Sequence, residues 1–287
     1  MSEDPGTPPA GAAKDWTIPQ RWESYTPEDH ATWDRLFERQ AQLLPGRVTP
    51  LFLQGLDILR LSKPGIPDFE ELSERLMKAT GWQVVAVPGL VPDNVFFDHL
   101  ANRRFVAGNF IRRPDQLDYL QEPDVFHDVF GHVPLLTQPV FADYMQAYGQ
   151  GGQRAAAAGM IAKLARLYWY TVEFGLVRSG DALQLYGAGI VSSYGESQFA
   201  LDDPSPHRIR FDLKRVMQTR YRIDDYQQSY FVIDSFEDLL DQTLNTDFGP
   251  IYAELADATD IETDAVLPSD HLYNRGTQAY AQGKRSA

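Results

Sequence analysis

The sequence predicts a mainly α-helical fold with a few short β-strands, organised as a single domain over residues 16–265. Two observations support this prediction. Several long segments carry helix start and stop residues, whereas only two short runs are rich in β-branched or aromatic residues. The 287-residue chain is also 43% hydrophobic and 12% aromatic, which is typical of a globular protein with a full-sized core.

The two ends of the chain are expected to lie outside this domain. Residues 1–15 are rich in Pro, Gly and Ala and are expected to form a disordered arm. Trp16, Trp22 and Trp33 follow closely, which indicates that the folded body begins there. Residues 266–287 lack a heptad pattern and are expected to form a tail without a coiled coil.

Three helices are predicted in the first part of the domain. Thr-Pro-Glu at 26–28 is a typical helix start and leads into HATWDRLFERQAQLL. A second helix is expected over 49–61. A third is expected over 68–80, with Gly81 as its stop.

The later elements alternate between strands and helices. QVVAVPGLV, at 83–91, predicts a strand followed by a loop. The segment 155–177 is expected to be the longest helix, from an alanine-rich start to a close at 179–180. A strand is expected at 230–233, and SFEDLLDQTL, at 235–244, follows as a helix.

The charge and composition of the chain argue against several kinds of partner. The net charge of −14 would repel nucleic acid and anionic membranes. The chain has no cysteine, so neither a disulfide nor a thiolate metal site is possible. It has no apolar run long enough to span a bilayer, and its first residues do not resemble a signal peptide. We therefore expect a cytoplasmic protein without nucleic-acid or membrane partners.

His127 and His132 in EPDVFHDVFGHVPLL, with Glu173 in LARLYWYTVEFGLV, are candidate metal ligands. Two imidazoles and one carboxylate occupy one face of an octahedral ion and leave positions open, which suits Fe(II) used for oxygen chemistry. The zinc-protease motif requires histidines four residues apart, whereas these are five apart. We expect a helix to end near Gly131, so that the chain turns His132 back toward His127.

The residues alone leave other interpretations of this trio open. Glu173 is the only charged residue between 167 and 177, and burying it would be costly without a partner such as a metal ion. Glu173 could instead share a helical face with Arg166 and point to water. The two histidines could be an unrelated surface pair.

Three longer motifs carry a family resemblance. PDVFHDVFGHVP, YWYTVEFGL and YGAGIVSSYGE resemble the catalytic domain of the pterin-dependent aromatic amino acid hydroxylases, in order between residues 87 and 236. The similarity is greatest to the short bacterial members that act on phenylalanine. It implies a single hydroxylase catalytic domain, without the regulatory domain and tetramerisation helix of animal members. It also implies Fe(II) and tetrahydrobiopterin, or a related tetrahydropterin, as cofactors.

The substrate carboxylate is expected to meet an arginine. A carboxylate in a closed pocket favours a bidentate arginine, and NRRFVAGNFIRRPDQLDY contains four. The resemblance selects Arg112, supported by Asp124, and places Ser192 near the amino acid end of the substrate. Leu120 stands where animal members have a threonine that touches the substrate, so that contact is lost or replaced.

The pterin is expected to need an aromatic platform and backbone hydrogen bonds. Phe96 and Phe97 follow the loop VPGLVPDN, although the residues alone favour a core role for both. The resemblance implies that Phe96 stacks on the pterin. It further implies contacts from Gly89, Val91, Asp93, Asp128 and Tyr168, with Asp128 replacing a glutamate of the animal members.

The resemblance implies that Trp169, Phe174 and Gly189 surround the substrate ring. Trp169 favours phenylalanine or tyrosine as substrate, because tryptophan hydroxylases have phenylalanine there. Val232 stands where tyrosine hydroxylases have aspartate, which favours phenylalanine, although an apolar pocket rejects an added hydroxyl only weakly.

The expected activity is therefore 4-hydroxylation of L-phenylalanine with O2 and a tetrahydropterin, by a monomer or small oligomer. Three alternatives remain: hydroxylation of tyrosine or tryptophan by the same machinery, a zinc hydrolase that uses the same three ligands, and a non-catalytic metal-binding protein.

Overall fold

The computed structural model describes residues 6–118 and 122–285. Leu120 and residues 1–5 of the expected arm lie outside this part of the chain. The expected mainly helical fold with short strands is confirmed. The helices of the first half are α1 (Pro27–Leu43), α2 (Pro50–Leu59), α3 (Phe69–Thr80), α4 (Asp93–Ala101), α5 (Pro139–Ala157) and α6 (Ile161–Tyr168). Those of the second half are α7 (Ala188–Val191), α8 (Tyr194–Asp202), α9 (Leu213–Gln218), α10 (Phe236–Leu244), α11 (Phe248–Ala256) and α12 (Ala279–Arg285).

The strands form two separate sheets within the described residues. They are β1 (Gln83–Val87), β2 (Arg104–Gly108), β3 (Leu176–Ser179), β4 (Ala182–Leu185), β5 (His207–Arg210), β6 (Ser229–Ile233) and β7 (Leu272–Asn274). β1 and β2 pair in parallel, and the other sheet has the order β4-β3-β6-β5-β7. In that sheet β6 runs parallel to both β3 and β5, whereas β4 and β7 are antiparallel to their neighbours.

The three expected helices of the first part of the domain are present, and the start of α1 and the end of α3 have the predicted cap residues. The Thr26 side chain accepts a hydrogen bond from Asp29 N–H, and the Asp29 carboxylate accepts one from Thr26 N–H. The Asp68 side chain caps the start of α3 by accepting hydrogen bonds from the N–H groups of Glu70 and Glu71. Gly81 ends α3 in the left-handed conformation with a φ of 76°. α2 is shorter than expected, at Pro50–Leu59.

The expected long helix over 155–177 is wrong. The alanine-rich start belongs to the end of α5, which is the longest helix described, with 19 residues. Gly159, with a φ of 69°, then breaks the chain before α6 begins. After α6 the backbone widens into a π-helix over Trp169–Glu173.

Both ends of the domain extend beyond the expected boundaries. β7 pairs with β5, so the sheet includes residues after 265, where the sequence analysis places the end of the domain. Nearby, the buried Arg215 guanidinium pairs with Asp270 at 2.9 Å. At the other end, the Asp15 carboxylate, expected in the arm, pairs with Arg104 of β2 at 3.0 Å.

A second π-helix, over Phe126–His132, lies against the hydrophobic core. Its Phe126 and Phe130 rings stack with centroids 4.7 Å apart, and Trp33 of α1 meets Phe126 edge-on at 5.2 Å. All three side chains are almost completely buried. This packing fixes one side of the π-helix, so its other side chains can form a site. Within the described residues, every helix is too short or too polar to cross a membrane.

Candidate active site

The two histidines lie on the π-helix Phe126–His132, which explains their spacing. In an α-helix five residues make about 1.4 turns, so positions five apart face different directions. A π-helix closes its hydrogen bonds over five residues, which brings such positions to the same side. The helix therefore does not end at Gly131 as expected, and no chain reversal is needed to bring His132 beside His127.

Glu173 is carried by the π-helix Trp169–Glu173. Phe174 N–H donates to the Trp169 carbonyl at 2.8 Å, a bond over five residues that is characteristic of this geometry. Gly175 N–H donates to the Thr171 carbonyl at 3.0 Å, which closes the helix. Two wide turns thus present the three expected ligands toward one point, and π-helical turns occur frequently at functional sites.

The three side chains are spaced to hold a metal ion. The His127 and His132 Nε2 atoms are 3.3 Å apart. Glu173 Oε2 lies 3.6 Å from His127 Nε2, and Glu173 Oε1 lies 3.2 Å from His132 Nε2. One ion at about 2.1 Å from each ligand atom fits these separations. Glu173 therefore faces the histidines rather than sharing a face with Arg166, which pairs with Asp260 instead.

The electrostatics of the site favour the protonation states that bind metal. Burial lowers the pKa of His127 to about 4, so its imidazole is neutral at pH 7. Burial alone would raise the pKa of Glu173, but the neighbouring His132 and His127 and hydrogen bonds from His132 and Gly189 outweigh it. The net pKa of Glu173 is lowered, so its carboxylate is ionised.

Ser192 orients His127. The Ser192 hydroxyl donates to the Ala188 carbonyl at 2.7 Å, so its oxygen accepts from His127 Nδ1–H at 2.9 Å. This leaves the Nε2 lone pair of His127 facing His132 and Glu173. Hydrogen bonds of this kind typically fix the tautomer of a metal-binding histidine.

Gly189 allows α7 to approach the metal-binding residues closely. Its backbone N–H helps to lower the pKa of the Glu173 carboxylate. A Cβ at this position would lie 2.8 Å from the Phe174 ring and 3.2 Å from the Glu173 carbonyl oxygen. Only glycine fits here without displacing one of these neighbours.

The residues expected to bind the pterin line one cleft together with the metal ligands. The cleft has a volume of about 240 Å³. Its walls include all six expected pterin residues, which are Gly89, Val91, Asp93, Phe96, Asp128 and Tyr168. The Phe96 and Tyr168 rings meet edge-on at 5.5 Å. Gly89 has a φ of 156°, in the range that favours glycine, and a Cβ there would lie 2.9 Å from the Glu122 carboxylate.

Asp128 is held at the floor of this cleft by β2. Its carboxylate accepts the Gly108 N–H at 2.8 Å. Burial nevertheless raises the pKa of Asp128 to about 7. Phe105, also on β2, packs its ring 4.9 Å from His132, so this strand supports both the cleft and one metal ligand.

Arg112 and Asp124 form a buried ion pair beside the histidines. Arg112 Nε and Nη2 each donate to Asp124 at 2.8 Å, and the Arg112 N–H donates at 2.9 Å. Asp124 also accepts the His127 N–H at 3.0 Å. Burial opposes ionisation of Asp124, but Arg112 holds its pKa below the usual value. The Nε–Nη2 edge of Arg112 is thus occupied, and Nη1 donates to the Leu117 carbonyl at 3.4 Å. The remaining N–H groups of Nη1 and Nη2 are left for a substrate carboxylate.

Trp169 and Phe174 form an aromatic pair next to Glu173, with centroids 4.8 Å apart. The Trp169 ring also stacks on Tyr221 at 4.4 Å, and its Nε1–H donates to Gln227 at 3.0 Å. Val232 is completely buried in β6, beside Leu176 of β3. Its contact with a substrate ring stays a prediction.

Four residues of the site were missed by the sequence analysis: Phe105, Gly108, Tyr221 and Gln227. Gly108 acts through its backbone, which no side-chain pattern reveals. Gln227 reaches Trp169 across 58 positions, so neither local spacing nor composition could identify it.

Comparison with known proteins agrees with this geometry. Residues 16–250 match the family described as biopterin-dependent aromatic amino acid hydroxylase. The chain is 64% identical over 274 residues to the phenylalanine-4-hydroxylase of Caulobacter vibrioides, covering 96% of this chain and 93% of that protein. It is 61% identical over 264 residues to the phenylalanine-4-hydroxylase of Ralstonia nicotianae, covering 92% of this chain and 84% of that protein.

Solved structures give the same result for the fold. The iron- and phenylalanine-bound crystal structure of phenylalanine hydroxylase from Chromobacterium violaceum matches with a TM-score of 0.87 at 55% identity. The matched region covers 91% of this chain and 94% of the Chromobacterium violaceum chain. The structure of the same protein with bound oxidised Fe(III) has a TM-score of 0.88 at 57% identity and the same coverage of both chains. This chain therefore belongs to the biopterin-dependent aromatic amino acid hydroxylase family.

Proposed function

We propose that the protein is a phenylalanine 4-monooxygenase, which converts L-phenylalanine to L-tyrosine with O2 and a tetrahydropterin. One observation carries the proposal: the ligand atoms of His127, His132 and Glu173 converge on the cleft that contains the family's pterin-binding positions. The relatives named above, at 61% and 64% identity, are phenylalanine-4-hydroxylases.

The proposal assigns a role to each expected side chain. Bound Fe(II) and tetrahydropterin together supply the activation of O2. His127, His132 and Glu173 hold the iron, and Ser192 fixes the His127 ring. The loop from Gly89 to Asp93, with Phe96, Asp128 and Tyr168, binds and orients the pterin in the cleft. The chain contributes orientation and exclusion of water.

The amino acid substrate binds beside the metal ligands, near Arg112 and the Trp169–Phe174 pair. Arg112 offers its remaining Nη1 and Nη2 N–H groups to the substrate carboxylate, with Asp124 holding the guanidinium in place. Trp169, Phe174 and Gly189 enclose the ring, and Val232 closes the pocket wall. The absence of a carboxylate at position 232 favours phenylalanine over tyrosine, because an apolar residue leaves nothing to hydrogen-bond a phenolic hydroxyl.

The alternatives are less well supported. A tyrosine or tryptophan hydroxylase is expected to be more similar in sequence to those enzymes than to phenylalanine-4-hydroxylases, whereas this chain is 64% and 61% identical to two phenylalanine-4-hydroxylases. A zinc hydrolase could use the same ligands, but it needs no pterin cleft beside them.

We further propose a cytoplasmic monomer or small oligomer, without nucleic-acid or membrane partners. Size-exclusion chromatography with light scattering tests the oligomeric state.

Reconstitution tests the activity directly. The purified protein is loaded with Fe(II) without oxygen and then given tetrahydropterin, L-phenylalanine and air. We expect tyrosine to form, zinc to be inactive in place of iron, and omission of pterin to abolish turnover.

The variants His127→Ala, His132→Ala and Glu173→Ala should each lose iron and activity while keeping a helical circular-dichroism spectrum. Full iron content and normal turnover in any variant would remove that residue from the ligand set.

A further inference from the structure

The indole of Trp169 is held in place by the loop between α9 and β6, residues 219–228. Trp169 Nε1–H donates to Gln227 Oε1 at 3.0 Å. Tyr221, at the other end of the loop, stacks on the indole with an interplanar angle of 22°. Gln227 is only 2% exposed, so its hydrogen bonds form away from water, where an unpaired polar group is costly.

The orientation of the Gln227 amide is set by its partners. Its Nε2 donates to the Arg222 carbonyl at 2.9 Å and to the Asp225 carbonyl at 3.3 Å. An indole N–H can only donate and a backbone carbonyl can only accept. Flipping the amide would therefore break all three hydrogen bonds at once. The Gln227 N–H also donates to the buried Glu196 carboxylate at 3.3 Å.

The loop is tied to the π-helix of Glu173 independently of Gln227. The Tyr170 hydroxyl donates to the Arg220 carbonyl at 2.5 Å. Neighbouring residues of one π-helix thus bind the beginning and the end of the same loop. One amide side chain both closes this loop on itself and fixes the plane of the indole before any substrate arrives.

We propose that Gln227 is a positioning residue for the aromatic ring of the substrate, acting through Trp169. The inference rests on the proposed function, in which Trp169 forms part of the ring pocket. Without Gln227 the indole N–H loses its buried partner, and the plane of the ring is then set by the less directional aromatic contacts with Tyr221 and Phe174. An orientation needed equally by the bound substrate and the transition state affects KM rather than kcat.

Gln227→Met tests this with a matched control at the next position. Methionine has the same length and no hydrogen-bonding amide. Gln228 is also buried, but its side chain bonds Gln278 and Thr263 and does not reach Trp169. We expect Gln227→Met to raise the KM for phenylalanine about tenfold, as for loss of one buried hydrogen bond. The KM for tetrahydropterin and the iron content should not change, and Gln228→Met should change the phenylalanine KM less than about twofold.

A double-mutant cycle shows whether Gln227 acts through the indole. Trp169→Phe removes the N–H, so Gln227→Met in that background should raise the phenylalanine KM further by less than about twofold. If the full increase persists in the Trp169→Phe background, Gln227 acts by another route and the inference is wrong.

Nuclear magnetic resonance of the ¹⁵N-labelled indoles gives a readout that needs no turnover. The Trp169 signal is identified by its loss in Trp169→Phe. In the wild type this indole proton should exchange slowly with solvent, and in Gln227→Met, but not in Gln228→Met, its signal should shift and exchange faster. Rapid exchange in the wild type would overturn the inference even if Gln227→Met failed to fold. Absence of tyrosine formation by the wild type would instead reject the proposed function and leave this measurement interpretable.

Discussion

Asp124 connects the expected substrate arginine with the first metal ligand. Its two carboxylate oxygens accept from the Arg112 guanidinium and from the His127 backbone N–H. Arg113, the next residue, points away and pairs with Asp115 at the surface, where it is 72% exposed. The two adjacent arginines therefore make a natural pair for comparison.

Arg112→Ala should raise the KM for phenylalanine at least about tenfold, because loss of a charged clamp typically costs on the order of 2 kcal/mol or more. Arg113→Ala should leave it nearly unchanged. Arg112→Ala also leaves Asp124 buried without its partner, so Arg112→Lys, which keeps the charge, serves as the control for stability. Steady-state kinetics and melting temperatures of all three variants check this. Equal effects at 112 and 113 would mean that the region acts only as a general positive patch.

Val232→Asp should lower phenylalanine turnover and raise the ratio of tyrosine to phenylalanine turnover, if Val232 lines the ring pocket. In that case the new carboxylate faces the apolar ring of phenylalanine without a compensating partner, which is costly. Rates with both substrates are measured beside the melting temperature. A fallen melting temperature with an unchanged substrate ratio would assign Val232, which is completely buried, to the core of the sheet alone.

Glu196 should make the stability of the protein depend on pH. Burial raises its pKa from 4.5 to about 7, although Tyr230 and Gln227 donate hydrogen bonds to it. Between these values the folded state binds more protons than the unfolded state, so the free energy of unfolding falls as pH rises. The loss through this group is on the order of 3 kcal/mol by pH 8.

The variant Glu196→Gln should lack this part of the pH dependence, because its amide oxygen still accepts both hydrogen bonds and does not titrate. Urea unfolding at several pH values between 4 and 8 measures the difference. Parallel profiles for the wild type and the variant would show that Glu196 has an ordinary pKa in the folded state.

Most of the expected site residues could be proposed from the sequence because they lie in long motifs shared with a family. The three metal ligands have, in addition, a chemical signature: two histidines and a lone carboxylate in an apolar segment. Tyr221 and Gln227 carry no such signature, because an amide or a phenol is common on any surface and their role depends on a contact with Trp169 made only in the folded chain.

At the level of elements, two neighbouring glycines in α5 have opposite surroundings. A Cβ at Gly152 would lie 2.1 Å from the Phe97 ring of α4, whereas a Cβ at Gly151 would come no closer than 3.9 Å to Arg154. The close approach of α5 to α4 matters for the cleft, because Phe96 on α4 is one of its walls.

Gly151→Ala should raise stability by up to about 1 kcal/mol, as expected for alanine in a helix interior. Gly152→Ala should lower it by about 1–3 kcal/mol and raise the KM for tetrahydropterin, because α4 or its ring must move. Thermal unfolding and pterin kinetics compare the two variants. Similar melting temperatures would show that Phe97 can repack without moving α4.

Helices with cap residues could be predicted well, but the π-helices could not. Thr26 and Gly81 mark helix ends by local hydrogen bonding and backbone conformation, which the sequence encodes directly. The widened turns at Phe126–His132 and Trp169–Glu173 depend on packing and on the approach of α7, neither of which is local. The expected helix over 155–177 failed for a different reason: the left-handed Gly159 ends one helix there, and the sequence analysis did not treat it as a stop.

At the scale of the whole molecule, a buried ion pair ties the C-terminal segment to the body. Asp270→Ala removes the partner of Arg215, which is buried, and should cost about 3 kcal/mol or more of unfolding free energy. Asp224→Ala breaks a pair with Arg222 in which Asp224 is 68% exposed, and should cost less than about 1 kcal/mol. Urea unfolding measures both. Equal losses would mean that residues after 265 contribute little to the fold.

The overall class of fold could be predicted from composition and local pattern, but the sheet order β4-β3-β6-β5-β7 could not. Its parallel pairs join strands separated by helices and long loops, and the hydrophobicity of a short strand does not identify its neighbour. β7 was missed because three residues with intermediate burial give too weak a signal.

The position of β7 has a consequence for biosynthesis. Of the described strands in this sheet, β7 is the last to leave the ribosome, and until then β5 has an unpaired edge. Exposed strand edges can pair with other chains, so a nascent chain that pauses before residue 272 offers a template for aggregation. Emergence of β7 closes that edge, and chaperone demand should therefore be greatest for chains stalled between β6 and β7.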